Sequence, residues 1–295
     1  MTNNNSRLTT HGEVDADGRR CLESLLADQV CRSADYRQAT ASTNALALRD
    51  CQQPLSAELL PRLYLADQQT AGRGRHGRSW HSGGGSLTFS LLTPWRLHSE
   101  RPSNLLSIAV GVAIARAIEF ACAPLRTSLK WPNDVYVDQG KVAGILIETN
   151  HGAADRVVIG VGINVNAAPA LTELSSGTQT SGEQTSIVEP KSLAAVIGRP
   201  VARHELLATV LTHITATLAE LGGAESAIIA DFRARCLLSQ QMIRFQAAGG
   251  ECSGLCLGIN DEGELAVKVG AQIHHCRSGE AHRLRLSGSP TSTPH

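Results

Sequence analysis

Residues 128–150 read SLKWPNDVYVDQGKVAGILIETN. Three short apolar runs, Ser128–Trp131, Val135–Val137 and Val142–Glu148, are separated by Pro132-Asn133-Asp134 and by Asp138-Gln139-Gly140. Runs this short between turn residues predict a strand meander rather than a helix. Arg156–Val165 (RVVIGVGINV) reads as a further strand, with glycines where something approaches its backbone closely. Upstream, Leu63–Ala66 and Leu87–Leu92 also read as strands. Helical spacing governs other stretches. Ala41–Arg49 opens with Ser42, Thr43 and Asn44, a helix-start signal. Leu105–Phe120 repeats apolar residues at Leu105, Ile108, Ala109, Val112, Ala113 and Ala117. A short helix is predicted over residues 20–27, and others over Ser192–Ile197, Arg203–Leu221 and Ala227–Cys236. Strands and helices do not strictly alternate, which predicts an α+β fold.

Beyond Leu238 the texture changes to short strands and glycine turns as far as Leu286, the signature of a small β domain. The expected organisation is a disordered tail at 1–18, a main domain at 19–237, the β domain at 238–287 and a disordered tail at 288–295. Residues 166–190, rich in Ser, Thr, Gly and Glu, read as an exposed loop.

The 295 residues are 42% hydrophobic and only 3% aromatic, so the core must be built mainly from Leu, Ile, Val and Ala. Basic and acidic residues balance at 27 each, which argues against a general nucleic-acid binder. Lysine occurs only at Lys130, Lys141, Lys191 and Lys268. The N-terminal MTNNNSRLTTHGEVDADGRR has no apolar h-region, and no run approaches eighteen apolar residues. The expectation is a cytoplasmic protein without a membrane span. Eight cysteines scattered through apolar stretches read as reduced, buried thiols. Cys252, Cys256, His274, His275 and Cys276 fit no familiar zinc spacing.

Gly72–Trp80, GRGRHGRSW, places three glycines and three arginines in seven residues. Arginine presents a fork of donors suited to phosphate or carboxylate, and glycine lets the backbone come close to a ligand. The segment reads as a loop that closes on an anion, against the alternatives of a solvated basic turn or an RNA contact.

Five segments occur in order: Ser42-Thr43-Asn44; Gln69 with the arginine loop; Lys130-Trp131-Pro132-Asn133-Asp134; Lys141 to Glu148 (KVAGILIE); and Gly160 to Val165 (GVGINV). Together they resemble the biotin protein ligases over roughly residues 38–286. The resemblance implies an α+β catalytic domain like that of class II aminoacyl-tRNA synthetases, followed by an SH3-like β-barrel. It implies ATP and Mg2+, with biotin as substrate, and as partner a biotin carboxyl carrier protein or domain. Biotin's carboxylate would attack the α-phosphate to give biotinyl-5′-AMP, and a carrier lysine would then take the biotinyl group. Such chemistry needs positioning and charge neutralisation more than a protein nucleophile.

Residue by residue, the resemblance assigns Ser42, Thr43, Asn44 and Gln69 to biotin, with helix capping as the competing reading of the first three. Arg73, Gly74 and Arg75 would fold over biotin and phosphates, while Arg78 contacts nucleotide or supports the loop's edge. Trp80 stacks on adenine or packs the loop base. Lys141 contacts the biotin carboxylate and the α-phosphate and is, with Arg75 and Asp134, a candidate catalytic residue. Lys130 and Asn133 fit the nucleotide end; Asn164 hydrogen-bonds near the adenylate or fixes the neighbouring loop; Asp134 holds Mg2+ or orients the incoming amine. Gly144 and Gly162 let the backbone approach the ligand. His76 stands where the family often has another arginine.

A lipoate or octanoate ligase should lack the arginine-loop and KWPND blocks in this form. A DNA-binding repressor of this family carries a winged-helix domain of about sixty residues ahead of the catalytic one. Only some forty residues precede Ser42, without that domain's helical periodicity, so no DNA binding is expected. The third alternative, a catalytically idle interaction module, does not account for the full set of polar motif residues. Monomer and homodimer both remain compatible with the sequence.

Overall fold

The computed structural model describes residues 7–53, 55–95, 103–150, 155–170, 189–247, 250–277, 279 and 281–283. The strands are β1 (Leu8–His11), β2 (Ser33–Thr40), β3 (Arg62–Gln69), β4 (Ser86–Pro94), β5 (Ser128–Lys130), β6 (Asp134–Val137), β7 (Gly140–Thr149) and β8 (Arg156–Asn164), then β9 (Met242–Ala247), β10 (Gly250–Ile259), β11 (Leu265–Val269), β12 (Gln272–Cys276) and β13 (Ala281–Arg283). The helices are α1 (Ala16–Ala27), α2 (Thr43–Cys51), α3 (Ser103–Ala121), α4 (Leu193–Ile197), α5 (Arg203–Glu220) and α6 (Glu225–Arg235).

The first eight strands form one mixed sheet in the order β1-β2-β3-β4-β8-β7-β6-β5. β1, β2 and β3 run parallel; all later pairings are antiparallel. Period-2 alternation sorts side chains onto two faces. Leu63, Leu65, Phe89, Leu91, Val157, Ile159 and Val161 join the large core with α1, α3, α5 and α6. Tyr64, Leu92 and Val158 point the other way, into a small cluster under α2 with Ala47 and Cys51. The face carrying α2 also carries the site.

The predicted meander is present, with β6 and β7 joined through Asp138 (φ 45°) and Gln139 (φ 64°). Two successive left-handed residues are what a tight two-residue hairpin demands. α3 satisfies the length and hydropathy test for a membrane span: mean hydropathy is 1.6 over Asn104–Ala121. No unbroken apolar run in the sequence signals this, because Ser107, Arg116 and Glu119 interrupt it. In the fold 78% of that window is buried among the sheet and helices, as a core helix.

The expected disorder at 1–18 is corrected where the structure describes it. Residues 8–11 form a strand paired in parallel with β2, and Asp15 caps α1 by accepting from Gly18 N at 2.6 Å. β2 itself was not legible. Its Asp35 is 4% exposed and its hydrophilic look hides a buried strand, because Arg37 pairs with that carboxylate at 3.0 Å. Residues 1–6 and most of the 166–190 loop, as well as the tail at 288–295, lie outside the described residues.

The C-terminal strands form a separate antiparallel sheet, β12-β11-β10-β9-β13. Among the described residues no ladder joins β12 to β13, so its hydrogen bonding is that of an open sheet. The expected boundary at 238 is not a break in packing: Ile243, Phe245, Cys256, Leu265 and Val267 belong to the same core as α3 and β8. Trp131, 2% exposed, donates its indole N–H to Gly263 O at 3.0 Å, tying the second sheet to the turn before β6. All eight cysteines are unpaired, and burial pushes the Cys256 thiol up to about 11.

Candidate functional site

A cleft open to solvent lies on the α2 face of the large sheet. Strand register dictates its floor. Ser90 pairs with Gly160 and Thr88 with Gly162, and across the next ladder Gly160 faces Leu146 and Gly162 faces Gly144. Small residues at four neighbouring points leave a trough that larger side chains would fill.

Lys141 lines this trough for a local reason. Val135 pairs with Ala143, but Tyr136 pairs with Lys141, so Val142 is an extra residue on β7. Val142 and Ala143 are both fully buried in the core. By simple alternation Lys141 would share Ala143's core-facing side; the bulge turns it to the site face, a common device beside active sites. Its Nζ lies 2.7 Å from Asp134 Oδ1 and 5.9 Å from the centre of the Trp80 ring.

The polar floor is densely bonded. Ser42 caps α2, accepting from Ala45 N, so the capping reading holds for it while it also lines the cleft. Thr43 donates its backbone N–H to Gln69 Oε1 at 2.7 Å, with its hydroxyl 3.1 Å from the same oxygen. Ser90 Oγ lies 2.8 Å from Thr43 Oγ1 and contacts Asn44 Oδ1. Asn44 Nδ2 donates to Glu148 Oε2 at 2.8 Å and to Leu146 O at 3.3 Å. Both amide hydrogens of Asn44 are thereby used within the protein. Gly160 makes room for this: a Cβ there would lie 2.0 Å from Asn44 Oδ1.

The arginine loop closes on itself. Arg73 bridges Ser79, Trp80 N donates to Gly72 O at 2.9 Å, and Gly74 N donates to Arg78 O at 2.6 Å. Arg75–Gly77 form a tight turn in which His76 takes a left-handed φ of 55°. Arg75 donates to Asn133 Oδ1 at 3.3 Å, Arg73 Nη2 lies 3.7 Å from Glu148 Oε1, and Arg78 Nε donates to Arg75 O at 3.4 Å. Trp80 lies flat over the trough, where a Cβ on Gly162 would meet its ring at 2.2 Å and one on Gly144 at 3.3 Å. These two glycines therefore accommodate the Trp80 indole in this conformation. Trp80 Nε1 is buried and makes no hydrogen bond among the described residues.

Of the residues expected from sequence, Ser42, Thr43, Asn44, Gln69, Arg73, Gly74, Arg75, Arg78, Trp80, Asn133, Lys141, Gly144 and Gly162 line one cleft. Lys130, Asp134 and Asn164 do not line it. Lys130 and Asp134 face each other across β5 and β6. Asn164, 2% exposed, donates to Lys141 O at 3.4 Å and so supports the lysine's backbone. Asn133 is held by Ile145, donating to its carbonyl at 2.7 Å and accepting from its N–H at 3.0 Å through the Asn133 backbone. Ser79, Thr88, Phe89, Ile145 and Val161 also line the cleft and carried no sequence signal of their own. Four cations and no carboxylate stand among the lining residues, with Leu146 and the Trp80 ring as apolar side chains on the site face. The arrangement suits an anion joined to an apolar body.

No group of three or more His, Cys, Asp or Glu among the described residues is arranged to hold a metal. Asp134 offers one carboxylate near Lys141. That donor chemistry fits a magnesium ion that keeps waters and arrives on a nucleotide's phosphates, rather than an all-protein cage.

Residues 37–164 match the model of the Biotin/lipoate A/B protein ligase family. The biotin--[acetyl-CoA-carboxylase] ligase of Mycobacterium tuberculosis is 31% identical over 274 residues, covering 91% of this chain and 96% of that protein. The ligase of the same name from Paracoccus denitrificans is 31% identical over 248 residues, covering 79% and 94%. Among solved structures, the biotin protein ligase from Aquifex aeolicus in complex with biotin and ATP superposes with a TM-score of 0.71. It is 26% identical and covers 86% of this chain and 99% of its own.

Proposed function

This chain belongs to the biotin protein ligases of the biotin/lipoate A/B protein ligase family, and we propose that it makes biotinyl-5′-AMP and passes the biotinyl group to a carrier lysine. The observation that carries this is the meeting, in one cleft, of Lys141 turned in by its bulge, the arginine loop and the Thr43–Gln69 floor.

In the first step a biotin carboxylate oxygen attacks the α-phosphorus of ATP. The new O–P bond forms as the bond to the bridging oxygen breaks, and pyrophosphate leaves. Lys141 Nζ and the guanidinium groups of Arg73 and Arg75 stabilise charge that builds on the phosphate oxygens. Asn133 holds Arg75 toward that position. Thr43 and Gln69 hold the polar ureido group, whose burial without partners costs on the order of 1–3 kcal/mol. Leu146 and the Trp80 ring cover the apolar ring and tail. Asp134 would supply a carboxylate to a magnesium ion, which would offset the negative charge of the phosphates. In the second step the lysine amine of a biotin carboxyl carrier protein or domain attacks the acyl carbonyl. The C–N bond forms, the C–O bond to phosphate breaks, AMP leaves and the nitrogen loses a proton. Lys141 then polarises the carbonyl it previously faced as a carboxylate. The reading places this chemistry in the cytoplasm, where ATP and carboxylases meet.

The test is to mix the protein with biotin, Mg-ATP and a biotin carboxyl carrier domain and to detect the modified lysine by mass. Pyrophosphate exchange into ATP should depend on biotin without any acceptor. Exchange that responds to lipoate or octanoate and not to biotin would move the assignment to the sister ligases.

A further inference from the structure

Glu148 closes the Lys141–Glu148 stretch, yet neither step above uses it. We propose that Glu148 is a positioning residue that ties the floor of the cleft to the arginine loop. In the free protein it also holds Arg73, until an anionic substrate takes the guanidinium over. The inference deepens the ligase reading and rests on it, since the anion is biotin's carboxylate or an ATP phosphate.

The two carboxylate oxygens of Glu148 do different work. Oε2 accepts from Asn44 Nδ2 at 2.8 Å. Asn44 sits in the first turn of α2 and reaches over Gly160, and its carbonyl contacts Ser90, which in turn touches Thr43. Ser90 has one hydroxyl proton, and the Asn44 carbonyl can only accept, so that proton goes to Asn44. Thr43 Oγ1 then donates to Ser90, leaving the Thr43 backbone N–H to hold Gln69 Oε1. The chain is directional, and Glu148 is its terminal acceptor. Without that carboxylate, a largely buried amide hydrogen of Asn44 loses its partner and the Thr43–Gln69 geometry loses its support.

Oε1 faces the other way, 3.7 Å from Arg73 Nη2. Arg73 is half exposed, with 49% of its side chain accessible, so the ion pair is weak and exchangeable. A guanidinium pairs as well with a phosphate or a second carboxylate. A substrate anion in the cleft therefore competes with Glu148 for Arg73 on equal chemical terms. The same side chain fixes the rigid floor strongly and the loop loosely.

Two substitutions separate these roles. Glu148→Gln keeps an acceptor for Asn44 but removes the charge that holds Arg73. Glu148→Ala removes both. In the free protein, tryptic cleavage after Arg73, scored against cleavage after Arg78, should be about threefold to fivefold faster in E148Q than in wild type. In pyrophosphate exchange, E148A should raise the KM for biotin about tenfold, and E148Q should restore most of it. Equal cleavage ratios in E148Q and wild type would overturn the tether. An E148A enzyme with the wild-type KM, or an E148Q enzyme as impaired as E148A, would overturn the positioning role. A wild-type protein with no biotin-dependent exchange would count against the ligase reading instead, and the proteolysis ratio, which needs no substrate, would still decide the tether.

Discussion

The floor of the cleft and the loop above it are both polar, but they are held in opposite ways. Thr43, Asn44, Gln69 and Ser90 are joined side chain to side chain, with three of the four nearly inaccessible. Arg73 reaches Glu148 at 3.7 Å, Arg75 donates to Asn133 at 3.3 Å, and the Trp80 ring lies over the glycines with an unmet N–H. A buried network that is satisfied throughout is rigid, whereas a half-exposed ion pair such as Arg73–Glu148 is weak and exchangeable. The floor is a bonded network of neutral polar side chains, and the loop carries its three arginines above it.

The most damaging break in that scheme is at Lys141, where the two regions converge. Lys141→Ala should slow biotin-dependent exchange about 10²- to 10³-fold, the usual loss for one donor aimed at developing charge. Ala also strands the Asp134 carboxylate, which now sits 2.7 Å from the ammonium. Lys141→Gln supplies a neutral donor to Asp134, so it should lose comparable activity while melting closer to wild type. Full activity in Lys141→Gln would show that the charge is not needed.

Paired glycine substitutions sharpen the contrast directly. In Gly160→Ala the new methyl meets Asn44, which three partners hold in place; in Gly162→Ala it meets Trp80, which the loop holds loosely. Overpacking a rigid site costs typically 1–3 kcal/mol. Gly160→Ala should therefore lower the melting temperature and weaken biotin binding. Gly162→Ala should displace the indole, with a changed tryptophan emission and little loss of melting temperature. If the two variants melt alike, floor and loop are equally rigid.

The contrast also explains what the sequence made legible. Motif residues with unusual chemistry, such as the arginines, Lys141 and Gln69, stood out and do meet in the cleft. Ser90 did not, because a lone serine inside an apolar strand is unremarkable until the β4–β8 register sets it opposite Gly160. Glu148 ends the KVAGILIE motif with no local sign of a role, since its partners are 104 and 75 positions away, at Asn44 and Arg73. Helix α3 and the strand meander were readable from local period. Strands β1 and β2 were not: one is a four-residue edge, and the other buries Asp35, held by Arg37 two residues on and by Arg62 of β3. The bulge that aims Lys141 is likewise invisible locally, because Val142 and Ala143 both look like core residues and both are.

A smaller effect is expected where the second sheet braces the floor. Trp131→Phe keeps an aromatic ring but removes the N–H that reaches Gly263 O at 3.0 Å. One such bond contributes about 1 kcal/mol net. Its loss should lower the melting temperature by a few degrees and raise the KM for ATP more than that for biotin, because Asn133, which accepts from Arg75, lies two residues after Trp131. Equal changes in both KM values would make Trp131 a packing residue only.

The smallest effect is expected at the loop's own turn. His76 holds a left-handed φ of 55°, which costs a side-chain-bearing residue about 1–2 kcal/mol relative to glycine. His76→Gly removes that strain from the closed loop, which favours closure. Glycine also widens the conformational freedom of the opened loop, by about 0.4–1 kcal/mol, which favours opening. The terms oppose each other and are of similar size. Tryptic cleavage after Arg73 and Arg78 in the free protein should therefore change by no more than a few-fold, against the larger losses expected at Gly160. Slower cleavage would mean that strain at His76 dominates and the wild-type loop is sprung toward opening. Faster cleavage would mean that restricted freedom at His76 helps keep it shut.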